Sequence, residues 1–217
     1  MLSPKLYKNS HAYDWFLRRL GYERSIDRFL RSLELDCDRD CRILDAGCGT
    51  GLLGLHFLQR YPDGSLTATD LEPNFLEAAE ANAVRRGLPT GRITWGIANI
   101  STPHQVRQRD GQPLELADEA FDLICVGAVL GYADDTKQSL GHLVRLLRPG
   151  GYLVNLEMNE GIGGRFVSHR YHYRNLPIAQ IREVLQRAGC EVQEKPFRAS
   201  HFPAKLTRMA IIARKST

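Results

Sequence analysis

No stretch of the 217 residues approaches the run of roughly 20 apolar residues that a membrane-crossing helix needs. Met1 to Ser10 is polar and lacks the apolar segment of a secretory signal, so a cytoplasmic protein is expected. Cysteine is scarce. Cys37, Cys41, Cys48, Cys125 and Cys190 are odd in number and scattered, which argues against a disulfide framework. Cys37 and Cys41 are close, but no second Cys/His pair at zinc-ligand spacing accompanies them, and ordinary thiols are the expectation. There is no internal repeat, no low-complexity tract and no block of consecutive basic residues. No RNA-binding module signature appears either, and no nucleic-acid partner is expected.

What is present suits one globular core, since 43% of the residues are hydrophobic. The net charge of +4 is unevenly distributed. Residues 1–144 carry 16 Lys/Arg against 20 Asp/Glu, whereas residues 145–217 carry 13 against 5. A basic end attracts anionic partners in general, but these charges are dispersed, and a solvated face also accounts for them.

From about residue 41, apolar runs alternate with helical patterns. Strands are expected at 41–46, 65–70, 92–98, 121–127 and 152–158, and helices at 52–60, 74–86, 137–147 and 178–188. Residues 101–120, with Pro103 and Pro113, read as a long loop. Residues 191–197 and 206–213 lie too close for a crossover helix and read as an antiparallel hairpin. The fold class that follows is α/β: a doubly wound, mostly parallel sheet of seven strands with helices on both faces. Residues 1–40 form an N-terminal helical extension on this reading, with helices at 13–20 and 25–35, and 41–217 form the main domain. The extension is either a prop on the sheet or a lid over the ligand end, where Tyr7, Tyr13, Trp15 and Phe16 would serve.

The richest segment is Ile43-Leu-Asp-Ala-Gly-Cys-Gly-Thr-Gly-Leu-Leu-Gly54, which runs from a strand through a glycine turn into a helix. Gly47, Gly49 and Gly51 let a ligand approach the backbone. Residues 49–54 also match the dinucleotide fingerprint G-x-G-x-x-G, a weak signal taken alone. Asp45 argues against a pyrophosphate, because a carboxylate at the strand end repels phosphates and attracts an ammonium group. Asp70 ends the second strand, 19 positions after Gly51, where an acidic residue reaches a ribose diol. Its alternative role is helix N-cap.

With these residues in place, the chain resembles the class I S-adenosylmethionine-dependent methyltransferases over roughly residues 41–217, most closely in Leu44-Asp-Ala-Gly-Cys-Gly-Thr-Gly51. The resemblance implies S-adenosylmethionine as cofactor and S-adenosylhomocysteine as product. It implies that Asp45, Gly47 and Gly49 line the amino-acid part, with Ala46, Cys48 and Gly51 in the same loop. Asp70 would take the ribose, and Leu71 would pack on the adenine edge. Ala98 and Asn99 would stand near adenine, although the family commonly has an acidic residue at the latter position. Asn retains a side-chain acceptor there. Gly127 would lie beside the sulfonium.

The family members that methylate exocyclic amines of bases carry an Asn/Asp-Pro-Pro-aromatic run after the fourth strand, and Gly127 to Tyr132 has none. A small-molecule acceptor is therefore expected, an anionic one if the basic C-terminal portion takes part. Methyl transfer is direct displacement at carbon, which chiefly demands alignment and exclusion of water. A general base is needed only if the acceptor loses a proton. Tyr132, His169 and His172 are the acceptor-side candidates, the histidines lying in Ser168-His-Arg-Tyr-His-Tyr-Arg174, which reads as a loop over the ligand end or a plain surface loop. Two other functions stay open: a nucleotide-cofactor oxidoreductase, and a cofactor-binding protein that methylates a protein partner or lacks catalysis.

Overall fold

A computed structural model describes residues 21–217. The chain opens with α1 (Tyr22–Arg31) and then alternates β1 (Arg42–Ala46), α2 (Gly54–Arg60), β2 (Ser65–Asp70), α3 (Pro73–Arg85) and β3 (Ile93–Ile97). Two short strands follow, β4 (Gln105–Gln108) and β5 (Pro113–Glu115). After β6 (Phe121–Gly127) come α4 (Thr136–Leu146), β7 (Leu147–Met158), α5 (Ile162–Arg170), α6 (Ile178–Arg187), β8 (Cys190–Pro196) and β9 (Arg208–Lys215). The strands form one nine-stranded sheet in the order β5-β4-β3-β2-β1-β6-β7-β9-β8. The five from β3 to β7 are mutually parallel, and the pairs β3/β4, β4/β5, β7/β9 and β9/β8 are antiparallel.

The α/β class and the doubly wound order stand as expected, and the strand count of seven is corrected to nine. β4 and β5 escaped the sequence because they are short, polar and interrupted by Pro113. They pair through the single apolar register Val106↔Leu114, too little for a period-2 signal. The segment 168–174 is corrected as well: its first three residues end α5 rather than forming a loop. Gly163 and Gly164 at its start lower helix propensity, and tertiary packing overrides that local preference.

The core has two layers, one on each face of the sheet. Phe57 and Leu55 from α2, Leu76 and Ala79 from α3, and Ile26, Phe29 and Leu30 from α1 pack on one face. Leu140 and Leu143 from α4 and Ile181 and Leu185 from α6 pack on the other, against Leu44, Ile124 and Leu153. At the N-terminal end of β6, Asp122 accepts from the backbone N–H of Arg42 at 2.7 Å and its Nε at 3.0 Å, and pairs with Arg148. These cations hold the Asp122 carboxyl below its ordinary range despite the burial that opposes them. That end lies away from the glycine loop, so Asp122 is structural.

The expected helix at 25–35 is present as α1, and it is integral to the core. Phe29 stacks on Phe197 with ring centroids 4.0 Å apart, and Ser25 Oγ donates to the carbonyl of His201 at 2.6 Å. The boundary expected at residue 40 thus separates no second core: Ile26 and Leu33 belong to the same buried cluster as Ile43 and Leu58. The aromatics of the proposed lid, Tyr7, Tyr13, Trp15 and Phe16, lie outside the described residues. Phe29→Ala should cost about 3–5 kcal/mol in denaturant unfolding. A chain beginning at Arg39 should fail to give a cooperative transition, and a cooperative transition near the full-length midpoint would contradict this role for α1.

Candidate functional site

The C-terminal ends of the parallel strands bring the glycine loop between β1 and α2 beside the turn that follows β6. Asp45 sits at the root of this loop, 1% exposed, and its Oδ2 accepts the N–H of Gly54 at 2.8 Å. A Cβ on Gly54 would lie 2.7 Å from that oxygen, so only glycine admits the contact. Gly47 has φ 72°, and a Cβ there would come within 2.6 Å of Val129 Cγ2, which brings the turn after β6 against the loop. The N–H groups of Gly47 and Cys48 both donate to the carbonyl of Thr69 at 2.8 Å. Gly49 donates to Asp70 Oδ2 at 2.8 Å, and Gly51 donates to the carbonyl of Cys48 at 2.9 Å.

The N–H groups of Gly47, Cys48, Gly49, Gly51 and Gly54 are thus all engaged within the chain. With the loop amides engaged internally and a carboxylate at its root, little remains to cradle a pyrophosphate. Burial pushes the Asp45 carboxyl up to about 7, with the nearby Asp70 charge adding to it and the Gly54 bond opposing it.

A cavity opens on this loop. Its lining takes Asp45, Gly47, Cys48, Gly49 and Thr50 from the loop, together with Leu53, Gly127 and Leu156. Tyr22, Ile26 and Arg208 line it as well. Arg208 Nε donates to the Tyr22 hydroxyl at 2.6 Å, and that hydroxyl lies 2.9 Å from Thr207 Oγ1. The lining of the cavity thus includes both the buried Asp45 carboxyl and the Arg208 side chain.

Of the other sequence candidates, Asp70 stands next to the cavity wall through its bond to Gly49, and its Oδ1 accepts the Glu72 N–H at 3.1 Å. That contact is a local turn, while α3 begins with Glu72 at its N-cap position. Leu71 is 56% exposed just beyond β2. The Ala98 N–H donates to the Asp70 carbonyl at 3.1 Å, and the Asn99 side-chain oxygen accepts the Ser101 N–H at 2.9 Å. Ala46 is buried in the core on the opposite sheet face, and Gly51 is buried against Leu55 and Ala79.

Tyr132 ends a short 3-10 turn after β6, donates to the Tyr171 carbonyl at 3.2 Å and meets the Tyr173 ring edge-on at 5.0 Å. His169 and His172 are exposed, and His172 has a positive φ of 53°. Arg174 is turned inward on the Ala133 carbonyl and Thr136.

Sequence reading missed Tyr22, Ile26, Leu156 and Arg208, which come from three separate parts of the chain and carry no local motif. It also missed Glu157. This carboxyl is fully buried near the end of β7, accepts from the Tyr173 hydroxyl and from the Met158 N–H at 2.9 Å, and is pushed up by burial.

The pH dependence of stability has a definite sign. An acid whose folded pKa is raised holds its proton in the native state after the unfolded chain has lost it, so stability falls as pH rises from about 4 to about 7 and then levels. Asp45→Asn keeps an oxygen for the Gly54 N–H and removes this slope, with an effect on the order of 4 kcal/mol at pH 8 for the ligand-free chain. Denaturant midpoints measured from pH 5 to pH 8 check this. Asp70 and Glu157 are also raised by burial, so a shallower slope of the same sign should remain in the variant. A variant no more stable than the parent at pH 8 would show that Asp45 is ionised in the fold at no cost.

Comparison with known proteins agrees with this geometry. A family model described as "Methyltransferase domain" matches residues 44–155, just over half of the chain. The demethylmenaquinone methyltransferase of Thermus thermophilus is 30% identical over 169 residues, covering 76% of this chain and 70% of its own length. A malonyl-[acyl-carrier protein] O-methyltransferase of Paenibacillus is 32% identical over 113 residues, covering 52% of this chain and 37% of its own. Among solved structures, an O-methyltransferase family protein from Burkholderia thailandensis superposes with TM-score 0.74 at 20% identity, over 98% of this chain and 61% of that one. The [4+2]-cyclase SpnF shares the fold at TM-score 0.65 and 20% identity, over 88% and 81% of the two chains. The glycine loop rooted on Asp45, the strand order and the matched residues lead to one assignment: the chain belongs to the class I S-adenosylmethionine-dependent methyltransferase family, with S-adenosylmethionine as its cofactor.

Proposed function

We propose that the chain transfers a methyl group from S-adenosylmethionine to a small-molecule acceptor with an apolar, quinone-like body, by direct displacement. The observation that carries this reading is the cavity whose lining holds both Asp45 and Arg208, a carboxyl and a guanidinium that would suit the cofactor's amino-acid end, with Gly127 also in the lining and the Tyr132 turn following it in the chain. When bound, the cofactor supplies an activated methyl on a sulfonium. Asp45 would hold its ammonium group, Arg208 its carboxylate, and Asp70 its ribose. Leu71, exposed beside Asp70, would cover one face of the adenine and regain apolar burial.

On the acceptor side, Tyr132 is braced by Tyr173, which is in turn held by Glu157. A rigid aromatic wall of this kind aligns a flat acceptor and excludes water. The similarity to the Thermus demethylmenaquinone methyltransferase spans more of both chains than that to the malonyl-carrier enzyme, which favours a quinone ring over a carrier-bound acyl group. The fold by itself does not discriminate, since SpnF shares it and is a cyclase.

S-adenosylhomocysteine should raise the melting temperature of the chain, and NADH should not. Asp70→Ala should weaken the affinity roughly tenfold or more by loss of charged hydrogen bonds. Unchanged affinity would remove the ribose assignment. Product formation from labelled S-adenosylmethionine should be seen with reduced demethylmenaquinone and not with malonyl-carrier protein, and the reverse outcome would replace the quinone reading. Alanine at His169 or His172 tests each as a base: loss of the acidic limb of the kcat profile would assign the proton to that imidazole.

A further inference from the structure

The helix α5 is built inside out. Its inward face consists of small residues, with Gly164 and Ser168 buried and Gly163 half-buried. The large apolar side chains point outward, Ile162 at 91% exposure and Phe166 at 71%. These two positions are four apart and so share one stripe. Leu206, 55% exposed, joins them from the strand-β9 side. The backbone there lies against the start of α5, where a Cβ on Gly163 would strike the Leu206 carbonyl. Asn159 completes the junction, donating its N–H to the Thr207 carbonyl at 2.9 Å and its side-chain amide to the Lys205 carbonyl at 3.4 Å.

Basic residues surround this crest. Arg165 and Arg170 are exposed on the same helix, and Lys205 adjoins Leu206. Among the described residues none of the three is in an ion pair, whereas Arg182 and Arg187 on the next helix both are. The Glu160 carboxylate, just before the helix, accepts the Ile178 N–H at 3.5 Å. The patch directly follows β7, so it stands at the strand ends where the cavity opens.

We propose that this face docks on an anionic lipid surface, independently of which acceptor the enzyme uses. An anionic bilayer offers what the patch complements: negative headgroups for Arg165, Arg170 and Lys205, and acyl chains beneath them for Ile162, Phe166 and Leu206. The long basic side chains lie along the apolar crest with their charges at headgroup level. An acidic carrier protein would satisfy the cations but offers a polar helix face, with no sink for three large apolar side chains. Docking of this kind is interfacial, and no helix among the described residues is long and apolar enough to cross a membrane. It would turn the cavity mouth toward molecules dissolved in the lipid.

The test is flotation of the full chain with vesicles of phosphatidylcholine alone and of phosphatidylcholine with roughly one quarter phosphatidylglycerol. Binding is expected only to the anionic vesicles, falling at least tenfold between about 0.05 and 0.5 M NaCl. The double variant Ile162→Ser, Phe166→Ser should bind at least tenfold more weakly, as should Arg165→Glu, Arg170→Glu. Both should keep the full thermal shift with S-adenosylhomocysteine, which establishes that they are folded. Absence of binding to anionic vesicles overturns the proposal, as does binding that neither variant reduces. A parent that elutes as a dimer dispersed by Ile162→Ser, Phe166→Ser, with no vesicle binding, assigns the face to a second copy of the chain. Binding to an acidic acyl-carrier protein without vesicle binding assigns it to that partner.

Discussion

The carboxyl group of Asp45 has almost no contact with solvent, and the hydrogen bond that the Gly54 N–H donates to it organises what surrounds it. A buried carboxyl needs a donor, and here the donor is the first residue of α2, so the strand end and the helix start are locked together. The bond requires that position 54 have no side chain. The turn between them must then fold back on itself, which places the Gly47 and Cys48 N–H groups on Thr69 and the Gly49 N–H on Asp70. Two acidic residues from adjacent strands are thereby held at one loop. Their mutual repulsion and their burial both raise the Asp45 carboxyl, and a positive ligand group relieves both.

The rest of the cavity lining depends on contacts between distant parts of the chain. Tyr22 comes from the first described helix and Arg208 from the last strand, and a 2.6 Å hydrogen bond joins them. That bond is possible because α1 is anchored through Phe29 on Phe197 and Ser25 on His201. The same helix therefore supplies core on one side and cavity wall on the other. On the far face of the sheet, Glu157, Tyr173 and Tyr132 form a second chain of support. A buried carboxyl fixes one ring, which fixes the edge of the next.

Most of the fold was legible in the amino-acid sequence, and for local reasons. The central parallel strands β1, β6 and β7 announce themselves as apolar runs bounded by glycine, because strands buried on both faces need continuous hydrophobic side chains, while β2 and β3 show a mixed apolar and polar pattern. The glycine loop was legible because close backbone approach and positive φ leave few residue choices. What stayed hidden has equally physical causes. β4 and β5 hold together through a single apolar pair, and α5 turns its small residues inward, so neither shows the usual period. Arg208, Tyr22 and Leu156 belong to no motif. Their meeting is set by the antiparallel insertion of β9 beside β7 and by the packing of α1. Sequence alone determined the family, since its glycine loop rests on short-range backbone constraints. Only the tertiary structure decided which side chains close the cavity and which apolar face is left outward, because both depend on elements far apart in the chain being brought into contact.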